Sequence, residues 1–574
     1  MNIKKITIHN FRSIKHQQII VNDYSILLGE NNAGKTNIIR ALRIFYENNL
    51  KFDAKVDFPK FETDDQESWV EIEFITSQED QLNLKDEYKS EDNLLKVRRY
   101  FKSEDKDLVK ANQSNIFAYE NGKLSKNLFY GAKNISESKI GNMIYIPELS
   151  KVDDSLKMSG PSPLRDMINF VVTKIAKKSS SFEKLENDFE EFNKIFKNEN
   201  TDGFSVQNLE EDINKEIKEW DIQFGLRINP LKPNDIVKNL VSHFIKDGFL
   251  NDEEVKIDSF GQGLQRHLIY SLIKLSTKYN DVVKKTKKEF SPDYTLILFE
   301  EPEAFLHPSQ QEKMNLSLRS LAESEGQQIL ITTHSPIFVS KNTEDLSSLV
   351  KIKRDGESKV FQIDKVMIND LLDQNSGMFQ FFLDKLNSDS VTNDLKNKIR
   401  SKKLANENDD LEIKLEEESF KYFLWVDSER ASLFFARHVI ICEGATEKIF
   451  LDYLLDTQWR DLKDKHIYIL DSLGKFNIHR YMNLFNVLGI NHSVLMDKDN
   501  DSDIHEEINN FIESKKNEYT KTIECFEGDL ESFLEIETAA RKDQKPLNVF
   551  HKFNKNEIDQ SKIDELKEIF MKLV

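Results

Sequence analysis

The sequence predicts an α/β protein with two parallel-sheet units in one chain, the first interrupted by a helical insertion. Three observations predict it. Short apolar runs alternate with helical patterns over 2–48 and 252–340, and the alternation returns over 437–574. Alternation of this kind belongs to parallel sheets with crossover helices. Between the first two stretches, residues 165–245 turn highly charged with helical spacing, as in SFEKLENDFEEFNKIFKNEN. Residues 401–418, SKKLANENDDLEIKLEEE, form a charge-rich break before the second unit.

The elements follow in order. Ile3, Ile6 and Ile8 alternate as a strand. Residues 24–28 are an apolar run that reads as a buried strand, and Ile38, Ile39, Leu42 and Phe45 recur at helical spacing. Residues 50–130 are strand-rich. Residues 143–146 read as a strand that stops at Pro147. Strands are expected at 295–299 and within 327–334, and 341–400 reads as a connector. In the last unit HVIIC, HIYIL and HSVLM are strands, while ATEKIFLDYLL and IHRYMNLFNVLG are helices. The boundaries drawn are 1–164 and 246–400 for two lobes of the first unit, 165–245 for the insertion, 401–436 for a linker and 437–574 for the second unit.

Size and composition narrow the function. A chain of 574 residues with 40 Phe can fill several cores, so a mini-protein and wholesale disorder are excluded. The net charge of −19 argues against coating nucleic acid through bulk charge, although local patches and bound cations can reverse the sign locally. Two cysteines, Cys442 and Cys525, build neither a disulfide framework nor a four-cysteine zinc site. With no signal-peptide run and no stretch of 18 apolar residues, a cytoplasmic location without a membrane span is expected.

The first chemical constellation is GENNAGKT, Gly29 to Thr36, between the predicted strand and helix. It matches G-x-x-x-x-G-K-[ST] in full and in the context that motif needs. Its glycines let backbone amides point at phosphate oxygens, and the helix N-terminus adds its dipole. Lys35 is expected on the β/γ-phosphates and Thr36 on Mg²⁺, with Asn32, Gly34 and Asn37 as further nucleotide-binding candidates. Far downstream LILFEEPE ends a strand in acids. Glu300 is placed to act through Mg²⁺-bound water and Glu301 to polarise the attacking water.

The second constellation ends the strands of the C-terminal unit. Glu443 follows HVIIC, Glu447 lies on the next helix, and Asp497, Asp499 and Asp501 follow SVLM. Strand-end residues at the carboxyl edge of a parallel sheet share one crevice. Four carboxylates there repel unless a divalent ion sits among them, and oxygen-only ligands favour Mg²⁺ or Mn²⁺. Glu527 or Glu531 could complete the metal shell, and Lys545 could neutralise a phosphorane-like transition state. Both cysteines read as small buried hydrophobes.

Several motifs resemble known families. SFGQGLQR resembles the signature loop of ABC-type ATPases, which implies that Ser259, Gly261 and Gly263 meet the γ-phosphate bound by a second subunit. His334 in ITTHSP matches the switch histidine of that class, and AFLHP its D-loop region. EGATE with DKD is similar to the Toprim domain of topoisomerases, primases and some nucleases, and Gly474-Lys475 fits a loop of such domains. An ABC-type ATPase head with a helical insertion, followed by a Toprim domain, resembles the OLD (overcoming lysogenization defect) nucleases over nearly the full chain. That family includes the nuclease subunit of Gabija systems and effectors of some retrons. The resemblance implies ATP-linked, metal-dependent DNA cleavage, homodimeric or higher assembly, and anti-phage defence; the charged arm at 165–245 reads separately as a dimerisation or partner-contact arm, with a solvated helical hairpin as the competing reading. A helicase-like protein, a retron RNA–DNA element or no partner at all remain open. The alternative is an ATP-dependent DNA-binding scaffold of the repair type with an inactive Toprim fold. Glu300 stands where the wider ATPase class commonly has Asp.

Overall fold

The computed structural model describes every residue except 48–49, 121, 132–138, 149–167, 169–179, 203, 221, 227–243, 249–252, 256–258, 280–289, 291, 293, 340–342, 407–412, 415–416, 419–429, 464–465, 499–502, 540 and 542–543. The chain divides into two units, Met1–Glu148 with Lys288–Val574, and Leu149–Lys287.

Among the described residues the first unit holds three sheets. An antiparallel one runs Ile14–Ile20, Asn2–Phe11, Ser68–Ile75, Leu94–Lys102, Ile116–Glu120 and Lys123–Leu128. Ile6, Ile8, Val70, Ile72 and Val97 on this sheet are fully buried and join the core of the helix Lys35–Tyr46. That helix contributes Ile38, Ile39, Leu42 and Phe45, the spacing that gives one apolar face.

The central sheet runs Glu357–Gln362, Leu349–Asp355, Tyr24–Leu28, Gln327–Thr332, Thr295–Glu300 and Asn142–Ile146. All its pairings are parallel except the first, which is a hairpin. Tyr24–Leu28 is buried along its whole length, as expected of a strand covered on both faces. Parallel register brings the carboxyl ends of three distant strands to one edge, so residues 29–36, 300–301 and 332–334 meet there.

The segment 341–400 differs from the expected connector. Leu349–Asp355 and Glu357–Gln362 add a hairpin to the central sheet. The helices Lys365–Asn387 and Asn393–Ser401 follow, capped by Asp364 and Thr392. Lysines interleaved through LVKIKRD hide the strand pattern, because Lys351 and Lys353 turn inward toward the third sheet rather than to solvent.

That third sheet is all parallel, in the order Ile467–Asp471, His438–Cys442, Asn491–Asp497, Thr520–Phe526. Ile440, Cys442 and Leu495 pack with Phe450, Leu454 and Phe570 of the helices Ala445–Thr457 and Gln560–Leu573, whereas Cys525, expected to be buried, is exposed on the strand Thr520–Phe526. Glu418, in the expected linker, is buried and clamps Arg480 with both carboxylate oxygens, at 2.5 and 2.6 Å.

In the second unit the helices Ser180–Asn198 and Val206–Glu216 fall inside the expected helical insertion, the latter capped by Ser205. Much of the remaining 165–245 segment lies outside the described residues. A short hairpin pairs Ile245–Asp247 with Glu253–Val255, and the helix Gln262–Tyr279 follows.

Candidate functional site

The first site sits at the carboxyl edge of the central sheet. Gly29 has φ 150° and Gly34 φ 119°, values that side chains resist. A Cβ on Gly29 would lie 2.3 Å from the Ile352 carbonyl oxygen, and one on Gly34 would lie 2.5 Å from Ser358 Oγ. The loop can therefore curl only with glycine at both places. It ends at Gly34, and the helix Lys35–Tyr46 begins with no side-chain cap. Its first amides are thus open to an anion.

Lys35 is buried, and its Nζ donates to the carbonyls of Gly29 at 2.8 Å and Glu30 at 2.9 Å. Burial lowers its pKa to about 8, against the opposing pull of Glu301, Glu303 and Glu30. Asn32, Gly34, Lys35, Thr36 and Asn37 line a cleft of about 240 Å³ with Glu300, Glu301 and His334 opposite. Whole-ligand pockets run to about 300–1,000 Å³, so this one matches a phosphate chain better than an entire nucleotide.

Across the cleft, Glu300 accepts a 2.6 Å hydrogen bond from Tyr145. The Arg43 guanidinium covers the Tyr145 ring at 3.8 Å and is itself held by Glu47 at 2.6 Å. Burial, and the Glu300 carboxylate after it, raise the Tyr145 pKa well above the ordinary value, so the phenol remains a donor. Glu301 has φ 45°, a strained value for a side-chain-bearing residue. Its carboxylate lies 3.6 Å from His334 Nε2. Burial and then Lys35 lower the His334 pKa. The His334 backbone amide donates to Glu303 at 2.6 Å. Asn37 donates to Ser13 Oγ at 2.7 Å. Ser259, Gly261 and Gly263 stand at the start of the helix Gln262–Tyr279 in the second unit.

Sequence reasoning passed over Tyr145, Asn31, Glu148 and Thr332 at this site. Tyr145 was visible only as one residue of a strand. Its approach to Glu300 depends on the parallel register that sets Leu298 beside it.

The second site lies at the carboxyl edge of the third sheet. Glu443 follows the strand His438–Cys442, and its Oε2 accepts from the Asp497 amide at 3.3 Å. Glu447 is buried in the first turn of the helix Ala445–Thr457 and accepts from the Gly444 amide at 3.1 Å. Burial first, then the Glu443 and Glu531 carboxylates, raise its pKa to about 7. Lys475 is buried beneath this group, donating to the Asp497 carbonyl at 2.5 Å and lying 3.6 Å from Glu443. Lys545 reaches Asp529 at 3.0 Å and Glu531 at 3.4 Å. Glu531 is 1% exposed, and its other oxygen, Oε1, has no hydrogen-bond partner among the described residues. Glu527 pairs with Lys498 at 2.7 Å. Asp499 and Asp501 lie outside the described residues. Among the described residues no group of three or more His, Cys, Asp and Glu side chains is set to hold a metal ion. Asp529 is the residue that sequence reasoning missed here.

A family model for the AAA ATPase domain matches residues 1–339. The chain belongs to the AAA ATPase domain family. A model of the overcoming lysogenization defect protein-like TOPRIM domain matches residues 434–499, so this AAA ATPase carries an OLD-like TOPRIM domain after its ATPase part. It is similar to the Old nuclease of Escherichia phage P2, with 28% identity over 383 residues, 63% of this chain and 60% of that protein. It is also similar to Endonuclease GajA of Bacillus cereus (strain VD045), with 24% identity over 524 residues, 87% of this chain and 75% of that protein. An OLD nuclease of Thermus scotoductus (strain ATCC 700910 / SA-01) shares 25% over 203 residues, 35% of this chain and 30% of that protein. The AAA ATPase spans less than two thirds of the length of the phage P2 protein. Among its described residues no helix is long and apolar enough to cross a membrane.

Proposed function

We propose that this chain is an ATP-regulated, divalent-metal-dependent DNA endonuclease of bacterial anti-phage defence. The observation that carries the reading is the approach of the Glu443 and Glu531 carboxylates to the buried Glu447 at the carboxyl edge of the third sheet, with Glu531 Oε1 lacking a partner among the described residues. An oxygen-only donor set of this kind suits Mg²⁺ or Mn²⁺. Bound ions would supply charge neutralisation and an activated water at the phosphodiester. Glu443, Glu447, Asp497 and Asp499 would be the principal ligands, with Asp501 and either Glu527 or Glu531 completing the set. Lys545 would stand beside Glu531 to offset charge that develops on the phosphate.

At the nucleotide cleft Lys35 and the loop amides would hold the phosphates, and Thr36 and Glu300 would hold Mg²⁺. Glu301 would polarise the attacking water, with His334 beside it as the switch histidine. Ser259, Gly261 and Gly263 of a second copy would complete the site, with the 165–245 arm joining the copies. The boundaries proposed at 164, 245, 400 and 436 separate these parts. The reading takes the protein to be cytoplasmic, where phage DNA is met. A helicase-like protein, a retron RNA–DNA element or no partner at all are the alternatives for what accompanies it.

Nicking of supercoiled plasmid with Mg²⁺ or Mn²⁺ tests this. Glu443→Ala and Asp499→Ala should each lower the rate by about 100-fold or more. Undiminished cutting by both variants would sink the assignment.

A second reading is an ATP-dependent DNA-binding scaffold with an inactive TOPRIM fold. It is favoured by the lack, among the described residues, of three converging metal-ligating side chains. Binding of ATP and DNA without cutting in any divalent metal would establish it.

A further inference from the structure

The hairpin Leu349–Asp355 with Glu357–Gln362 touches both sites' scaffolds, and strand periodicity sorts its residues between them. One face carries Val350, Ile352, Arg354 and, across the register, Ser358 and Val360. This face meets the nucleotide loop. Ser358 Oγ donates to the Ala33 carbonyl at 2.6 Å and shares a 2.7 Å hydrogen bond with Ser13. Arg354 donates to Asn32 Oδ1 at 3.2 Å. The Ile352 carbonyl occupies the space that a Gly29 side chain would take.

The opposite face carries Lys351, Lys353 and, across from them, Lys359 and Phe361. It meets the amino ends of the third sheet. Lys353 donates to Asn491 Oδ1 at 2.8 Å and to the Gly489 carbonyl at 3.2 Å. Lys351 donates to the Phe434 carbonyl. The Phe361 ring fills the space a Cβ on Gly489 would need, 2.5 Å away, and packs edge-on against Tyr519. Gly489 itself has φ 61°. Asn491 opens the strand that ends at Asp497, and Phe434 shortly precedes the strand that ends before Glu443.

We infer that this hairpin is the mechanical link from the nucleotide loop to the acidic edge, and that Lys353 and Phe361 are the contacts through which it engages the third sheet. The inference rests on the nuclease reading and deepens it by naming how nucleotide occupancy reaches the cutting site. Any displacement of the nucleotide loop must move the hairpin, because Gly29 and Ile352 are in backbone contact. A parallel strand buried on both faces shifts as a rod, since interiors are close-packed. A push on Asn491 therefore arrives at Asp497, roughly 20 Å away at about 3.3 Å per residue.

The test uses the full chain carrying Lys353→Met, which keeps the stem and removes the ammonium, and separately Phe361→Leu. Two quantities are read: the ratio of plasmid-cutting rates with and without ATP, and the ATP-induced change in amide hydrogen exchange across 438–443 and 491–497. In the wild type ATP changes both. In each variant ATP affinity and metal-only cutting stay within about twofold of wild type, while the ATP effect on both readouts falls at least fivefold. Lys353→Arg restores it. The inference is overturned if the variants keep the wild-type ATP response, or if ATP leaves exchange in these strands unchanged in the wild type. A protein that never cuts sinks the nuclease reading alone, because the exchange measurement still decides whether the hairpin transmits.

Discussion

Gly29 shows how far one residue can constrain a site. Its φ and the Ile352 carbonyl both forbid a side chain, so Gly29→Ala must displace the strand that carries Ile352. Strain of this type costs about 1–3 kcal/mol, and more where backbone must move. A lowered denaturation midpoint together with lost ATP binding is the expected result. Tyr145→Phe is gentler. It removes one hydrogen bond to Glu300 and leaves the ring beneath Arg43. A hydrogen bond to a charged group is worth about 1.5–3 kcal/mol, so ATP turnover should fall by roughly 10- to 100-fold with folding intact. Steady-state hydrolysis beside a thermal melt checks it.

Whole elements carry the pH response. His438 and His492 are buried at the amino ends of adjacent strands of the third sheet. His438 shares a 3.0 Å hydrogen bond with Ser493, and His492 bonds the Ile490 carbonyl and Thr520, both at 2.9 Å. Burial lowers both pKa values to about 4. The unfolded chain titrates near 6.5, so between pH 6.5 and 4 it binds the more protons and stability falls as pH falls. The loss is about 2 kcal/mol per histidine at pH 5. Melting followed from pH 7.5 to 5 should therefore be steeper for wild type than for His492→Gln. Elements also mark what the sequence discloses. The nucleotide loop was legible because all its parts are neighbours in the chain. The strand Tyr24–Leu28 was legible because it is uniformly apolar. The hairpin was not, since Lys351 and Lys353 satisfy their ammonium groups on carbonyls and an amide of another sheet, which no local pattern reveals. Glu531 and Asp529 meet Lys545 only through the short helix Leu530–Phe533, which is why Glu531 could be proposed as a ligand and Asp529 was overlooked.

At the scale of the molecule, the ATPase sheets and the TOPRIM sheet share one compact unit. Arg437, at the entry to the TOPRIM strand His438–Cys442, reaches back to Glu30 of the nucleotide loop at 3.2 Å. ATP binding should therefore stabilise the third sheet along with the first two. At 100 times the dissociation constant the gain is about 2.7 kcal/mol, and it should vanish in Lys35→Ala. Exchange protection of the strand Thr520–Phe526 with and without ATP measures it. The overall charge of −19 sets a second expectation. Residues 437–574 hold 27 acids against 19 Lys and Arg, so DNA must be held by local basic groups and by ions that mask the acids. Binding should weaken steeply with salt and with chelation, read by filter retention across a salt series.

The strand order of the central sheet also sets a timetable for synthesis. Tyr24–Leu28 leaves the ribosome early, but its neighbours Gln327–Thr332 and Leu349–Asp355 are made some 300 residues later. At about 5–20 residues per second the first strand waits roughly 15–60 s for its partners. The antiparallel sheet of Asn2–Lys102 can pair during that interval and shelter the apolar face of the helix Lys35–Tyr46. The central sheet is complete at Gln362, before His438 is translated. The nascent chain can thus assemble its nucleotide cleft before any residue of the acidic edge exists.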